Sequence, residues 1–355
     1  MKKIFPFLKA AFVWGFFPLM LAFLILWFAG GCSVSTEGIH ILAGDYELPQ
    51  IKDVIVDSSD SILIQVSKNV RLEDCSLSKI PDEKEFSSFE ILSSGEYESL
   101  ELESVSGAGT DSIRIDFAQE TEIGKNYILF GRLVDSSENT VEIALSFKGF
   151  NCRPAKMIIN EVNCKYDGTK SRAEFVEFYV LEDGNLSGLE LCSTKYGEEK
   201  KYIFPCAEVK KGEYICLHLR VLNGEEELCV DELGSDLTLS QGSRTSSARD
   251  LWYYGNAARI SDTDVLLLKG KKSQIIDGIP YCAKDLSKWN DNMESALELL
   301  CAQGLWSGEY MSSVGASATS SMSRQRQSVP SSKENWIVVK AGNASPGLVN
   351  STVEK

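Results

Sequence analysis

Apolar and polar residues alternate with a period of two along much of this chain. In Ser112–Phe117 every second position is apolar (Ile113, Ile115, Phe117). That period sends alternate side chains to opposite faces of an extended chain, so it predicts a half-buried strand. Ser61–Val66 predicts a shorter, mostly apolar strand, and Tyr127–Val134 and Thr140–Phe147 a pair joined by the turn Asp135–Asn139. No amphipathic helix interrupts the 49–150 region, and short strands at this spacing predict a sandwich of roughly 100 residues.

The alternation resumes after Asn151-Cys152-Arg153-Pro154, where proline favours an extended linker. Met157–Val162, Glu174–Val180, Leu189–Leu191, Tyr202–Phe204, Gly212–Leu217, Asp262–Leu268 and Ile275–Tyr281 predict further strands. Asp291–Cys301 instead has helical spacing, with Gly304 as a stop, and the serine-rich 312–332 stretch, holding Arg324 and Arg326, reads as a mobile loop.

The N-terminus changes the picture from a plain β protein to an exported one. Lys2, Lys3 and Lys9 precede an uncharged apolar run from Ala10 to Gly31. Ala29-Gly30-Gly31-Cys32 resembles a bacterial lipobox, with Ala29 where leucine is commonest, and implies lipid attachment at Cys32. The run is also long enough to span a bilayer as an uncleaved anchor. Both readings place the rest of the chain outside the cytoplasm, either in the periplasm or at the cell surface.

Composition narrows the partners. Of 355 residues 25% are charged, the net charge is −15, and most of the excess acid lies in residues 41–150. An acidic face repels phosphate backbones, so nucleic acid is a poor partner. Of the ten cysteines, Cys75 lies in the first half and reads as a small buried hydrophobe. Eight lie in the second: Cys152, Cys164, Cys192, Cys206, Cys216, Cys229, Cys282 and Cys301. An even set in an exported domain predicts disulfides, with open connectivity. With only His40 and His218 and no CxxC pair, no metal site and no cofactor are expected.

The first half resembles a bacterial Ig-like domain, on Pro49-Gln50-Ile51, Ser61–Ser67 and the hairpin Lys125–Val141. The second resembles the lamin-tail domain. Its elements occur in order: Asn160-Glu161-Val162, the acidic strand Glu174–Val180, Leu186-Ser187-Gly188, Tyr202–Pro205, a glycine-bounded strand from Gly212, Ser321–Arg324, and Pro346-Gly347 to Asn350. This resemblance implies an Ig-like sandwich without catalytic residues of its own. It implies that Glu161 and Glu177 serve turn hydrogen bonds.

The expectation is therefore an all-β fold: two Ig-like β-sandwich domains in tandem after an N-terminal signal or anchor helix. The segments are 1–31 (signal peptide or anchor), 32–48 (tether), 49–150 (first sandwich) and 155–350 (lamin-tail-like sandwich), with a helical insertion near 290–303.

Catalytic signals are sparse. His218 lies in a strand between Leu217 and Leu219 and reads as a surface or partly packed residue. Glu174 and Glu177, three apart on a strand, fall on opposite faces and cannot act as an acid–base pair. Asp57, Asp60, Asp262 and Asp264 could ligate calcium with backbone carbonyls, but solvated turns account for them without an ion. Arg249, Trp252, Tyr253 and Tyr254 cluster in an expected loop, where such residues anchor protein interfaces or cover a core end. The expected function is a non-enzymatic, lipid-anchored envelope protein that binds another protein or an envelope glycan. A structural scaffold and a hydrolase- or nuclease-associated accessory are the alternatives.

Overall fold

The structure is a computed structural model that describes residues 45–81, 98–166, 174–221, 226–241, 247–255 and 257–355. The apolar N-terminal run, Cys32 and most of the tether lie outside the described residues. Among the described residues no helix is long and apolar enough to cross a membrane.

Leu48–Lys355 forms one compact, all-β unit. Its first part holds β1 (Ile51–Ile55), β2 (Ser61–Ile80), β3 (Glu98–Leu100), β4 (Leu102–Ser106), β5 (Thr110–Phe117), β6 (Asn126–Asp135) and β7 (Thr140–Lys148). They form one sheet in the order β4-β5-β2-β6-β7, with β1 and β3 also on β2. The run expected to end at Val66 continues to Ile80. Its first half pairs with β1 and β5 and its second with β3 and β6. Register slips between Glu73 and Ser76 against β6, and Asp74 between them takes a left-handed φ of 50°. Such a bulge bends a strand. Ile62, Ile64 and Leu77, from the two halves of β2, therefore share one core with Ile113, Ile115, Leu129 and Leu133. Cys75 packs partly buried against that core, and burial pushes its thiol up to about 11.

The second part begins with β8 (Lys156–Asn163), β9 (Phe175–Glu182), β10 (Gly184–Asn185), β11 (Glu190–Ser193), β12 (Tyr202–Ile203), β13 (Glu208–Val209), β14 (Tyr214–His218), β15 (Arg249–Trp252), β16 (Asp264–Lys269) and β17 (Ile275–Cys282). It ends with α1 (Asp291–Ala302), β18 (Trp306–Ser307), β19 (Met311–Ser312), β20 (Met322–Arg324), β21 (Ser331–Ser332) and β22 (Trp336–Val338). A six-stranded sheet, β15-β14-β9-β8-β20-β22, faces a five-stranded one, β12-β11-β16-β17-β19. Alternate residues of β9 and β14 (Val176, Phe178, Ile215, Leu217) join Leu266, Leu268 and Ile279 in one shared core.

The helix forms for local reasons. The Asn290 side chain accepts from Met293 N at the first turn, and Gly304 takes a φ of 68° just past the C-terminus. It packs on β17 where Gly278 leaves room. A Cβ there would stand 2.7 Å from Leu300 Cδ2.

Three expectations are corrected. The serine-rich 312–332 stretch is not a free loop: it contains β20, and Ser320, Ser321, Ser323 and Arg324 are buried. Arg324 is fixed there by Asp277 of β17, 2.7 Å away. Arg249-Asp250-Leu251-Trp252 is not a loop but β15, buried throughout, because it adds in parallel to β14. Finally, none of the nine cysteines among the described residues is in a disulfide. The thiols are spread over different strands and layers. Cys206 Sγ lies 3.2 Å from the Ile123 carbonyl, and Cys192, Cys216 and Cys282 are buried on separate strands, as small hydrophobes are.

Candidate functional site

The strands β15 and β12 are the last strands of their respective sheets, and a groove of about 360 Å³ lies between them. Lys201, Tyr202, Ile203, Asp231, Tyr253 and Tyr254 are among its walls. An edge strand leaves backbone groups for a further chain to pair with. Here side chains take part of that role. Asp231 Oδ1 accepts from Trp252 N at 2.7 Å, and Glu232 Oε2 from Asp250 N at 2.8 Å. Burial raises both carboxyls above their ordinary range.

The aromatic wall is continuous with the core. Tyr253 lies 5.9 Å from Tyr202, Tyr202 edge-on 5.1 Å from Phe204, and Phe204 edge-on 5.2 Å from Phe178. Behind Tyr253, the Arg259 guanidinium sits 3.6 Å from the ring centre. The rings at the mouth are thus held by packing and lose little freedom when a partner binds. Tyr254, 57% exposed, and Ile203, 52% exposed, form the rim, and Tyr254 is tethered by its hydroxyl to the Cys229 carbonyl at 3.1 Å.

Of the four residues read as a binding loop, the structure brings Trp252, Tyr253 and Tyr254 to this groove. Trp252 is 1% exposed, and its Nε1 donates to Ser240 Oγ at 3.0 Å. Arg249 points elsewhere. Its guanidinium is buried and donates to the Glu232, Gly234 and Glu208 carbonyls and to Glu213 at 3.1 Å. The sequence did not indicate Tyr202, Ile203 or Asp231; the aromatic-Phe-Pro step at 202–205 was the one signal for the first two.

His218 is not a surface residue. It is buried, with Nε2 2.9 Å from Asp250 Oδ1 and its ring stacked on Trp252 at 4.1 Å. The calcium candidates have other uses. Asp262 pairs with Lys165 at 2.7 Å and Lys288 at 3.1 Å. Asp264 accepts from Ser193 Oγ at 2.6 Å, and burial lifts its carboxyl to about 6. Glu174 pairs with Arg220, whereas Glu177 faces Glu161 across the sheet.

A larger cleft of about 870 Å³ lies at the junction of the first and second parts, lined by Glu122, Cys152, Arg153, Cys206, Glu208 and Arg249 among others. Within it Arg153 pairs with Glu208 at 2.9 Å and Arg249 with Glu213. We therefore assign the site to the smaller aromatic groove.

Among solved structures, the N-terminal part of the bacterial S-layer protein SbsC aligns at 14% identity over 65% of this chain and 43% of its own, with a TM-score of 0.24. A DUF4876 family protein from Bacteroides thetaiotaomicron VPI-5482 aligns at 11% identity over 78% of this chain and 89% of its own, with a TM-score of 0.29. Superposition at that level defines no shared fold. An uncharacterized protein of Treponema pallidum (strain Nichols) is 30% identical over 203 residues, 54% of this chain and 50% of the relative. The chain thus spans about half the length of this curated relative. The family described as protein second domain, TP_1001_2nd, matches residues 155–338, the stretch that carries the groove and more than half of the sequence, and the chain belongs to that family.

Proposed function

We propose that this chain is a non-enzymatic, membrane-anchored envelope protein that binds a protein partner through the groove between β12 and β15. The observation that carries this reading is the row of packed rings from Phe178 to Tyr253, ending at the exposed rim residues Tyr254 and Ile203. Rigid aromatic anchors beside an apolar rim are what interface hot spots are made of. In this reading residues 49–150 and 155–350 are an Ig-like and a lamin-tail-like module. Cys32, or the apolar run before it, holds them at the membrane outside the cytoplasm. The absence of an enzymatic role is supported by His218, the histidine among the described residues, which is buried against Asp250 and Trp252 and out of reach of a substrate.

A second reading, a rigid structural spacer, is favoured by the joint between the two parts. Asn151 Nδ2 donates to the Asn185 and Ser187 carbonyls at 2.9 Å each, and Lys271 Nζ lies 3.4 Å from the Phe150 ring centre.

A photo-crosslinking residue in place of Ile203, in cells producing the full chain, separates the two. Binding predicts a discrete protein adduct that Tyr253→Ala or Tyr254→Ala removes. The same probe at Val105, exposed on β4, should not give it. No adduct at Ile203, or the same one from Val105, favours the spacer. An adduct whose added mass glycosidases remove assigns the groove to a glycan.

A further inference from the structure

We propose that Cys216, His218 and Asp250 form a zinc site beneath the groove. Cys216 and His218 are two apart on β14 and share a face, and Asp250 is the register partner of Cys216 on β15. That face is turned away from the sandwich core and is covered by the segment around Cys229 and Ser240. The Cys216 Sγ, one imidazole nitrogen of His218 and one carboxylate oxygen of Asp250 all lie within 4.8 Å of one another. Donors around a tetrahedral zinc, each about 2.0–2.3 Å from the ion, stand at separations within that range.

His218 points to an ion rather than to a closed hydrogen-bond network. Its Nε2 meets Asp250 Oδ1 at 2.9 Å, but Nδ1 is buried without any partner. A buried imidazole left with one bare nitrogen is costly, and such orphaned groups commonly mark an ion or ordered water. Charge and donor type agree. One thiolate and one carboxylate neutralise a divalent ion in a site that could not otherwise bury it. The mixed sulfur, nitrogen and oxygen set suits zinc and not calcium or magnesium. On binding, the Cys216 S–H bond breaks, its proton leaves to solvent and an S–Zn bond forms. His218 gives the lone pair of one ring nitrogen to the ion and keeps its ring proton on the other, Asp250 gives a carboxylate oxygen, and nothing is oxidised or reduced. A second cluster, Glu190, Cys192 and Glu198, lacks this character because Lys201 and Lys269 already neutralise it.

The site bears on the groove. The Trp252 ring stacks on His218 at 4.1 Å and 20° and also lines the groove, so the ion would fix one of its walls. The zinc proposal does not depend on which partner the groove takes.

The test is titration of the metal-free full chain, purified in mild detergent, with Zn²⁺ and with Co²⁺ as a spectroscopic probe. The expected result is about one ion per chain and a thiolate-to-cobalt charge-transfer band. Cys216→Ser should abolish the band, and Asp250→Asn should lower affinity by at least on the order of 10–100-fold. Cys229→Ser, which alters a neighbouring buried thiol, should leave both unchanged. If Cys216→Ser does not fold, alkylation of the wild-type chain in sub-denaturing urea, where the buried Cys216 becomes reachable, decides, since zinc should slow its labelling and leave the exposed Cys152 as reactive as before. Failure of the wild-type chain to bind either ion at micromolar concentration overturns the proposal, as does unchanged binding by a folded Cys216→Ser chain.

Discussion

Glu161 and Glu177 stand directly opposite each other on β8 and β9, and both are fully buried. Their carboxylates hold the C-terminal segment. Glu161 accepts from Ser345 N at 3.0 Å and from the Ser321 hydroxyl, while Glu177 accepts from Gly347 N and from Asn160 Nδ2 at 2.7 Å. Asn350 completes the clasp, donating to the Asn160 carbonyl at 3.0 Å and the Arg324 carbonyl at 2.7 Å.

Two acids this close do not both ionise readily. Burial, and then the charge of Glu161, push Glu177 up to about 8. A carboxyl raised in the folded state binds its proton more tightly than in the unfolded chain. Its stabilisation is therefore complete below the ordinary carboxylate range and is lost as pH rises through about 8. Denaturant unfolding should show a chain more stable near pH 5 than near pH 8.5, by on the order of 2 kcal/mol or more. Glu177→Gln should flatten part of that slope, the remainder coming from raised acids such as Asp264. An unchanged slope in the variant would show that the clasp does not titrate.

The ion pair of Arg324 and Asp277 is the second buried electrostatic commitment, with both side chains inaccessible to solvent. Arg324 also donates to the Ile159 and Ser328 carbonyls, each at 3.0 Å. Removing one partner strands the other charge. Arg324→Met should cost about 3–5 kcal/mol in a denaturant titration, and Arg324→Met with Asp277→Asn should recover much of it. A single variant costing less than about 1 kcal/mol would mean that the pair is not closed in solution.

Thiol reactivity should follow burial. Cys152 and Cys301 are exposed, whereas burial pushes the Cys164 thiol up to about 12 and that of Cys192 up to about 11. Since the thiolate is the reactive form, brief alkylation followed by peptide mapping should label Cys152 and Cys301 first. Cys164 and Cys192 should react only after unfolding. Early labelling of Cys164 would place that thiol at the surface.

What the sequence by itself determined are features governed by neighbours a few residues away. Period-two alternation set the faces of β5 and β7, since successive side chains on a strand must diverge. Spacing and the Asn290 cap set the helix at Asp291–Ala302. What only the tertiary structure decided depends on pairing between distant segments. The continuation of β2 to Ile80 follows from β6 and β3 arriving along its second half. The meeting of His218 with Asp250, 32 residues on, follows from the parallel addition of β15, which buried a run of Arg, Asp and Trp whose composition reads as a surface loop. The opposition of Glu161 and Glu177, like that of Asp277 and Arg324, comes from register and layer packing. A short-range pattern fixes which way a side chain points but not what it meets, because the partner is chosen by the pairing of strands far apart in the chain.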